Sequence, residues 1–182
     1  TEGILRGMYK FSAGKKKKLH VQLLGSGTIL REVIAAGELL EQDFNVSADI
    51  WSVTSFNELR REGLDAHRWN MLHPDQPPRV SYVVECLKDS GHPVVAATDY
   101  MKIHADQIRE FVPGRYSVLG TDGFGRSDSR KQLRKFFEVD RYYVTVAALK
   151  ALADAGSIPA KTVAAAIKKY GIDPEKPNPV TV

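Results

Sequence analysis

Two glycine-bearing segments carry the residue types from which a binding site is built. Gly25-Ser26-Gly27-Thr28 stands between an apolar run and an amphipathic one. On a strand-to-helix turn, the amides of Ser26, Gly27 and Thr28 could hold a phosphate against the positive end of the helix. A dinucleotide fingerprint needs a third glycine where Leu30 stands, and the lysine of a phosphate loop is missing too. A tight structural turn is therefore the first reading of this segment and an anion site the second. The other segment is Thr121-Asp122-Gly123-Phe124-Gly125-Arg126-Ser127-Asp128-Ser129-Arg130. Its glycines permit close backbone approach, and Arg126, Ser127 and Arg130 could make charge-assisted contacts with a ligand. The competing reading is a self-contained loop of structural or intersubunit role, in which Asp122 and Asp128 bind local amides or Arg126.

Other chemistry finds less support. The five histidines, His20, His67, His73, His92 and His104, form no His-x-x-x-His pair and have no cysteine partners at metal-ligand spacing. His73, between Leu72 and Pro74, reads as a buried hydrogen-bonding or interface residue, since no base or nucleophile partner for catalysis is visible. Ser26, Ser55 and Ser127 lack a Gly-x-Ser-x-Gly elbow, which argues against serine hydrolysis. The single cysteine, Cys86, lies in Val83-Val84-Glu85-Cys86-Leu87. An inert buried thiol and a reducing compartment follow from that context.

The elements that must position these residues can be read from periodicity. Residues 7–12 and 19–24 read as strands, and the intervening Ala13-Gly14 and four lysines suggest a hairpin. Ile29, Leu30, Val33, Gly37, Leu40 and Phe44 recur at helical spacing after the Gly25 turn. Residues 48–53 form the next expected strand. Ser55 and Glu58 then have the spacing of a capping box that starts a helix running to about Met71. His73-Pro74-Asp75-Gln76-Pro77-Pro78 forces an irregular crossing. A short helix over 80–88, a strand over 93–97, and a helix capped by Asp99 come next, with Tyr100, Ile103, His104, Ile108 and Phe111 on its inner face. A strand over 116–119 precedes helices from Asp128 onward, the last entered through Ser157 and Pro159 and closed by Gly171.

Strands alternating with helices predict a three-layer α/β fold: a mainly parallel sheet with helices on both faces and an antiparallel edge hairpin. The 182 residues, 43% of them hydrophobic, suit one domain spanning 1–182, with 1–6 as a lead-in and 174–182 as an extended tail. Lys15 to Lys18 match the whole formal excess of +4. They read as a solvated loop tip, with an electrostatic docking patch as the alternative, and the charge pattern offers no nucleic-acid face. No apolar run approaches the roughly 20 residues of a membrane span, and no signal peptide precedes the fold, so a soluble cytoplasmic protein is expected. The start at Thr1 suggests a fragment or a processed product.

Val21-Gln22-Leu23-Leu24-Gly25-Ser26-Gly27, Ser52-Val53-Thr54-Ser55-Phe56, Arg68-Trp69-Asn70-Met71-Leu72-His73-Pro74 and the Thr121 to Arg130 segment together resemble one family, the homodimeric bacterial pyruvate dehydrogenases. The resemblance covers nearly the whole chain and departs mainly in the lysine loop and the tail. It implies the third domain of a longer polypeptide, similar to the transketolase carboxyl-terminal domain. Thiamin diphosphate and magnesium would be held mainly by the two preceding domains across a dimer interface. It further implies decarboxylation of pyruvate by the whole enzyme, then reductive acetylation of the lipoyl group of dihydrolipoyl acetyltransferase.

Asp122-Gly123 is similar to part of that family's Gly-Asp-Gly cofactor signature, but Thr121 replaces the first glycine and no Asn-Asn follows at the expected distance. No catalytic, cofactor or metal residue is therefore carried over. Ser26, Gly27, Thr28, His73, Asp122, Arg126, Ser127, Asp128 and Arg130 remain as interface or anion-contact candidates. The expected role is to support the dimer and buttress the active site, with the remaining domains, the homodimer partner and the acetyltransferase as partners and no activity alone. The alternatives are a regulatory anion- or nucleotide-binding module at the Gly25 turn and Arg126 loop, or a docking domain using the lysines.

Overall fold

In the computed structural model, which describes residues 2–88 and 91–182, the first strand does not pair with the second. A single helical turn, α1 (Glu2–Leu5), leads into β1 (Met8–Ser12), an edge strand. The next strand in the chain is β2 (His20–Ser26), but β3 (Ser47–Val53) lies between them, antiparallel to β1 and parallel to β2. The antiparallel edge exists, then, while the expected hairpin does not. The connector explains why: the Gly14 amide donates to Asp49 Oδ1 of β3 at 2.9 Å, which draws the chain across the end of β3. A side chain at position 14 would strike the Ala48 carbonyl oxygen, 2.6 Å from where its Cβ would stand. The lysines are not all free at a loop tip either, because Lys15 and Lys17 both reach Glu41, at 3.0 and 2.8 Å.

With β4 (Val94–Ala97) and β5 (Tyr116–Leu119), the sheet order is β1-β3-β2-β4-β5. β2 is buried at every position, as a central parallel strand covered on both faces must be. Successive residues alternate between two cores. Leu23, Val95 and Ala97 join Val33 and Leu40 of α2 (Leu30–Phe44) on one face. Leu24, Val94 and Ala96 join Phe56 and Leu59 of α3 (Phe56–Leu72) on the other, together with Val83 of α4 (Tyr82–Leu87) and Ala105 of α5 (Lys102–Asp106). The first core is completed by the helices that follow α6 (Arg130–Phe136), namely α7 (Arg141–Asp154) and α8 (Ala160–Lys169). This is the mainly parallel, helix-covered sheet expected from the alternation.

Several local expectations need correction. Ser55 Oγ does accept the Glu58 amide at 3.1 Å, but the Ser55 amide donates to Gly7 O, and Glu58 turns to Arg61, so the box is half made. Asp99 caps no helix: α5 begins three residues later with Met101 at its cap position. Tyr100 and Ile103 are 62% and 66% exposed, while Ala105, Ile108 and Phe111 supply the inner face. Gly25 continues β2 rather than breaking it. Cys86 is half-buried, and burial pushes its thiol up, away from the thiolate. The tail is not simply extended, since Pro179–Thr181 makes a 3-10 turn and Pro179 is buried. Thr1 lies outside the described residues. No helix among them is long and apolar enough to cross a membrane.

Candidate functional site

The chain passes from β2 through α2 to β3 on one side, while β4 lies on the other side of β2. Loops leaving the carboxyl ends of β2 and β4 therefore diverge, and a crevice opens where they part. Gly25 is needed there for packing: a Cβ would stand 2.9 Å from Leu30 Cα and 3.1 Å from Val33 Cγ2, so its absence lets the helix close on the strand. Ser26 Oγ, buried, donates to Thr98 Oγ1 at 2.8 Å and ties the ends of the two strands together. Gly27 takes a left-handed turn with φ of +54°.

The residue missed by sequence reasoning is Asp99. Its carboxylate accepts the Thr28 hydroxyl at 3.1 Å, and its Oδ1 lies 2.9 Å from where a Gly27 Cβ would stand. Its backbone carbonyl accepts Thr121 Oγ1 at 2.7 Å, so all three strand ends meet at this residue. The readable signal was its position just beyond a buried strand, at the same level as the Gly27 turn. A carboxylate placed here repels an incoming phosphate, and the turn is thereby made unfavourable for anions.

Around this frame lies a cleft of about 360 Å³ lined by Thr28, Asp99, Thr121, Arg126, Arg130 and Arg134 over an apolar floor that includes Leu133 and Phe137. The fold thus brings the two glycine segments, nearly a hundred residues apart, to one place. Their candidate residues divide between frame and lining. Asp122 Oδ1 is taken by the Lys102 amide at 2.9 Å, which leaves it structural. Arg126 lays its guanidinium over the Phe136 ring at 4.1 Å. Ser127 and Asp128 are exposed, and Asp128 accepts the Ser129 amide at 2.6 Å rather than pairing with Arg126. His73 is not part of the cleft: its Nδ1 is 2.9 Å from Trp69 O and its ring stacks on that indole at 4.3 Å.

A diphosphate with its magnesium does not fit these residues. Asp122 is committed to a backbone amide, Asp99 is then the one carboxylate in the cleft lining that could meet the metal, and among the described residues no three His, Cys, Asp or Glu side chains gather to hold one. Beside the cleft, Tyr100, Met101 and Ile103 are each more than half exposed, and Phe124 is 82% exposed. Tyr100, Met101, Ile103, His104 and Gln107 also line a shallow hollow with Asn57 and Arg60. Bare apolar side chains of this size are what a docking partner would cover.

Residues 7–140 match the family model described as the transketolase-like TK C-terminal domain. The chain is 65% identical over 181 residues to a protein of Pseudomonas aeruginosa named pyruvate dehydrogenase E1 component, covering 98% of this chain and 20% of that one. It is 59% identical over 183 residues to the protein of the same name from Cupriavidus necator, covering 100% of this chain and again 20% of the relative. Among solved structures, the transketolase of Leishmania mexicana superposes with a TM-score of 0.57 at 18% identity, covering 87% of this chain and 20% of the other, a likeness of fold. The chain spans about a fifth of the length of the curated relatives it matches.

Proposed function

Since the chain belongs to the transketolase-like C-terminal domain family, we propose that it serves as the structural, dimer-supporting third domain of a pyruvate dehydrogenase E1 component. The complete polypeptide would decarboxylate pyruvate on thiamin diphosphate with magnesium and pass the two-carbon unit to the lipoyl group of dihydrolipoyl acetyltransferase. The observation that carries this reading is 65% identity along 98% of the chain to a protein of that name. The bound cofactor would supply the electron sink, and its holding residues would lie in the other domains. This domain would contribute the rigid sheet, the cleft frame around Asp99 and the apolar surface formed by Tyr100, Met101, Ile103 and Phe124. That surface is where the remaining domains or the second subunit would dock.

The test compares the complete polypeptide with one lacking these 182 residues, and with the 182-residue chain alone. The complete form is expected to sediment as a dimer and to release carbon dioxide from pyruvate when given thiamin diphosphate and magnesium. The truncated form should lose the dimer, and the domain alone should release none. Carbon dioxide from the domain alone, or an intact active dimer without it, overturns the reading.

A further inference from the structure

A second cleft shares a wall with the first. Arg130 and Arg134 line both, and on their far side the surface opens into a groove of about 580 Å³ between α6, the start of α7 and the turn after α8. Five cationic side chains face it, Arg130, Lys131, Arg134, Lys135 and Arg141, against the carboxylates of Glu32 and Asp140. Both carboxylates are already engaged on the protein side. Glu32, 5% exposed, accepts Arg134 Nη1 at 2.9 Å and Arg141 Nη2 at 3.2 Å on one oxygen, which draws two guanidinium groups together. Asp140 accepts the amides of Tyr142 and Tyr143 at 2.9 and 3.0 Å. Among the described residues, none of Arg130, Lys131 and Lys135 forms a salt bridge.

Local energetics argue against so much positive charge being there for the sake of the helix. The 130/134 and 131/135 pairs are like charges one turn apart, which destabilise a helix. Arg130 and Lys131 also stand in a first turn that holds no acidic residue, where the peptide dipole disfavours cations. The groove is the size of a small-molecule site, and its remaining wall is aromatic. Tyr170 is oriented by donating its hydroxyl to Asp43 Oδ2 at 2.8 Å, and the partly exposed Tyr142 ring lies 4.9 Å from it. Guanidinium forks suit phosphate oxygens, and an exposed tyrosine face suits a flat ring.

We infer that this groove binds a small molecule bearing two or more linked phosphates, held by Arg130, Lys131, Lys135 and the Glu32-oriented arginines, with Tyr142 as the seat for a flat ring attached to them. The inference does not depend on the proposed role in pyruvate dehydrogenase. Its ligand class is set by the charge, size and aromatic wall of the groove. The neighbouring cleft shares Arg130 and Arg134, but it sets Asp99 among its arginines and is lined by neither lysine nor tyrosine.

Calorimetric titrations with pyrophosphate and with ADP test it, on the 182-residue chain and on the complete polypeptide saturated with its cofactor. Saturable binding is expected, weaker as salt rises. The exposed double substitution Lys131→Glu, Lys135→Glu should weaken both ligands by about tenfold or more. Tyr142→Ala should weaken ADP and leave pyrophosphate unchanged, and circular dichroism checks that each variant is folded. No saturable binding of either phosphate in either form at millimolar concentration overturns the inference, as does affinity untouched by the charge reversal. Tighter binding of poly-glutamate than of pyrophosphate also overturns it, by making the groove a seat for an acidic chain.

Discussion

Glu32, in the first turn of α2, takes three hydrogen bonds from Arg141, which stands 109 residues later at the start of α7. The Arg141 amide and Nε reach Oε2, both at 3.0 Å, and Nη2 reaches Oε1 at 3.2 Å. The two helices pack on the same face of the sheet, so this carboxylate fixes the angle of one against the other. Replacing Glu32 by alanine should cost about 2 kcal/mol. That is below the 3–5 kcal/mol of a fully buried broken pair because the Arg141 side chain is 43% exposed and remains partly solvated. Urea unfolding measures it, and a loss under about 0.5 kcal/mol would place the pair with ordinary surface ion pairs.

The same carboxylate sets a pH dependence. Burial works to raise the pKa of Glu32, but the hydrogen bonds and charge of Arg141, with the charge of Arg134, outweigh it and hold the group below its ordinary 4.5. A carboxyl depressed in the folded state stabilises the protein above its unfolded pKa, and that contribution drains away as pH falls through the folded one. Stability should therefore decline as pH drops below about 4.5, and Glu32→Gln, less stable at neutral pH, should decline less steeply over the same interval. Parallel profiles for the two proteins would remove Glu32 as a cause of acid lability.

Gly25→Ala tests whether the glycine turn exists for packing. The added methyl would meet Leu30 Cα at 2.9 Å and Leu30 Cδ1 at 3.0 Å, with backbone on one side that cannot swing away. Overpacking of this kind costs about 1–3 kcal/mol, and thermal unfolding should register it. An unchanged Tm would show that the turn has room to spare.

Gly123→Ala should release the tail without unfolding the sheet. Gly123 has φ of +120°, and its added Cβ would strike the Pro179 carbonyl oxygen. The tail is otherwise held by Lys176, whose Nζ donates to Phe136 O at 2.9 Å and pairs with Glu138 at 3.1 Å. Hydrogen exchange should show faster exchange at the Val180 and Thr181 amides, which are bonded to Asn178, while β2 and β4 keep their protection. Uniform protection in both regions would mean the tail docks independently of position 123.

Much of the architecture was legible because it is encoded locally. The apolar run at 93–97, the helical spacing from Ile29 to Phe44 and the Ser55 cap each specify an element from residues a few positions apart. What covers an element is a different matter. Tyr100 and Ile103 have the periodicity of an inner face, yet Ile108 and Phe111 fill the available space under α3 and leave them bare. In the candidate site, both glycine segments were readable as unusual, but Asp99 looked like a helix cap because a carboxylate after a strand suits either role.

The residues by themselves determined the kinds of elements, their order along the chain, and a family likeness carried by short unusual motifs. Only the tertiary structure decided that β3 separates β1 from β2, that Gly27, Asp99 and Thr121 meet, and that Arg134 and Arg141 converge on Glu32. The reason is the range of the forces concerned. Helix and strand preferences act over one or two turns, whereas strand neighbours and buried charge pairs depend on which distant segments share the same small volume once water has been excluded.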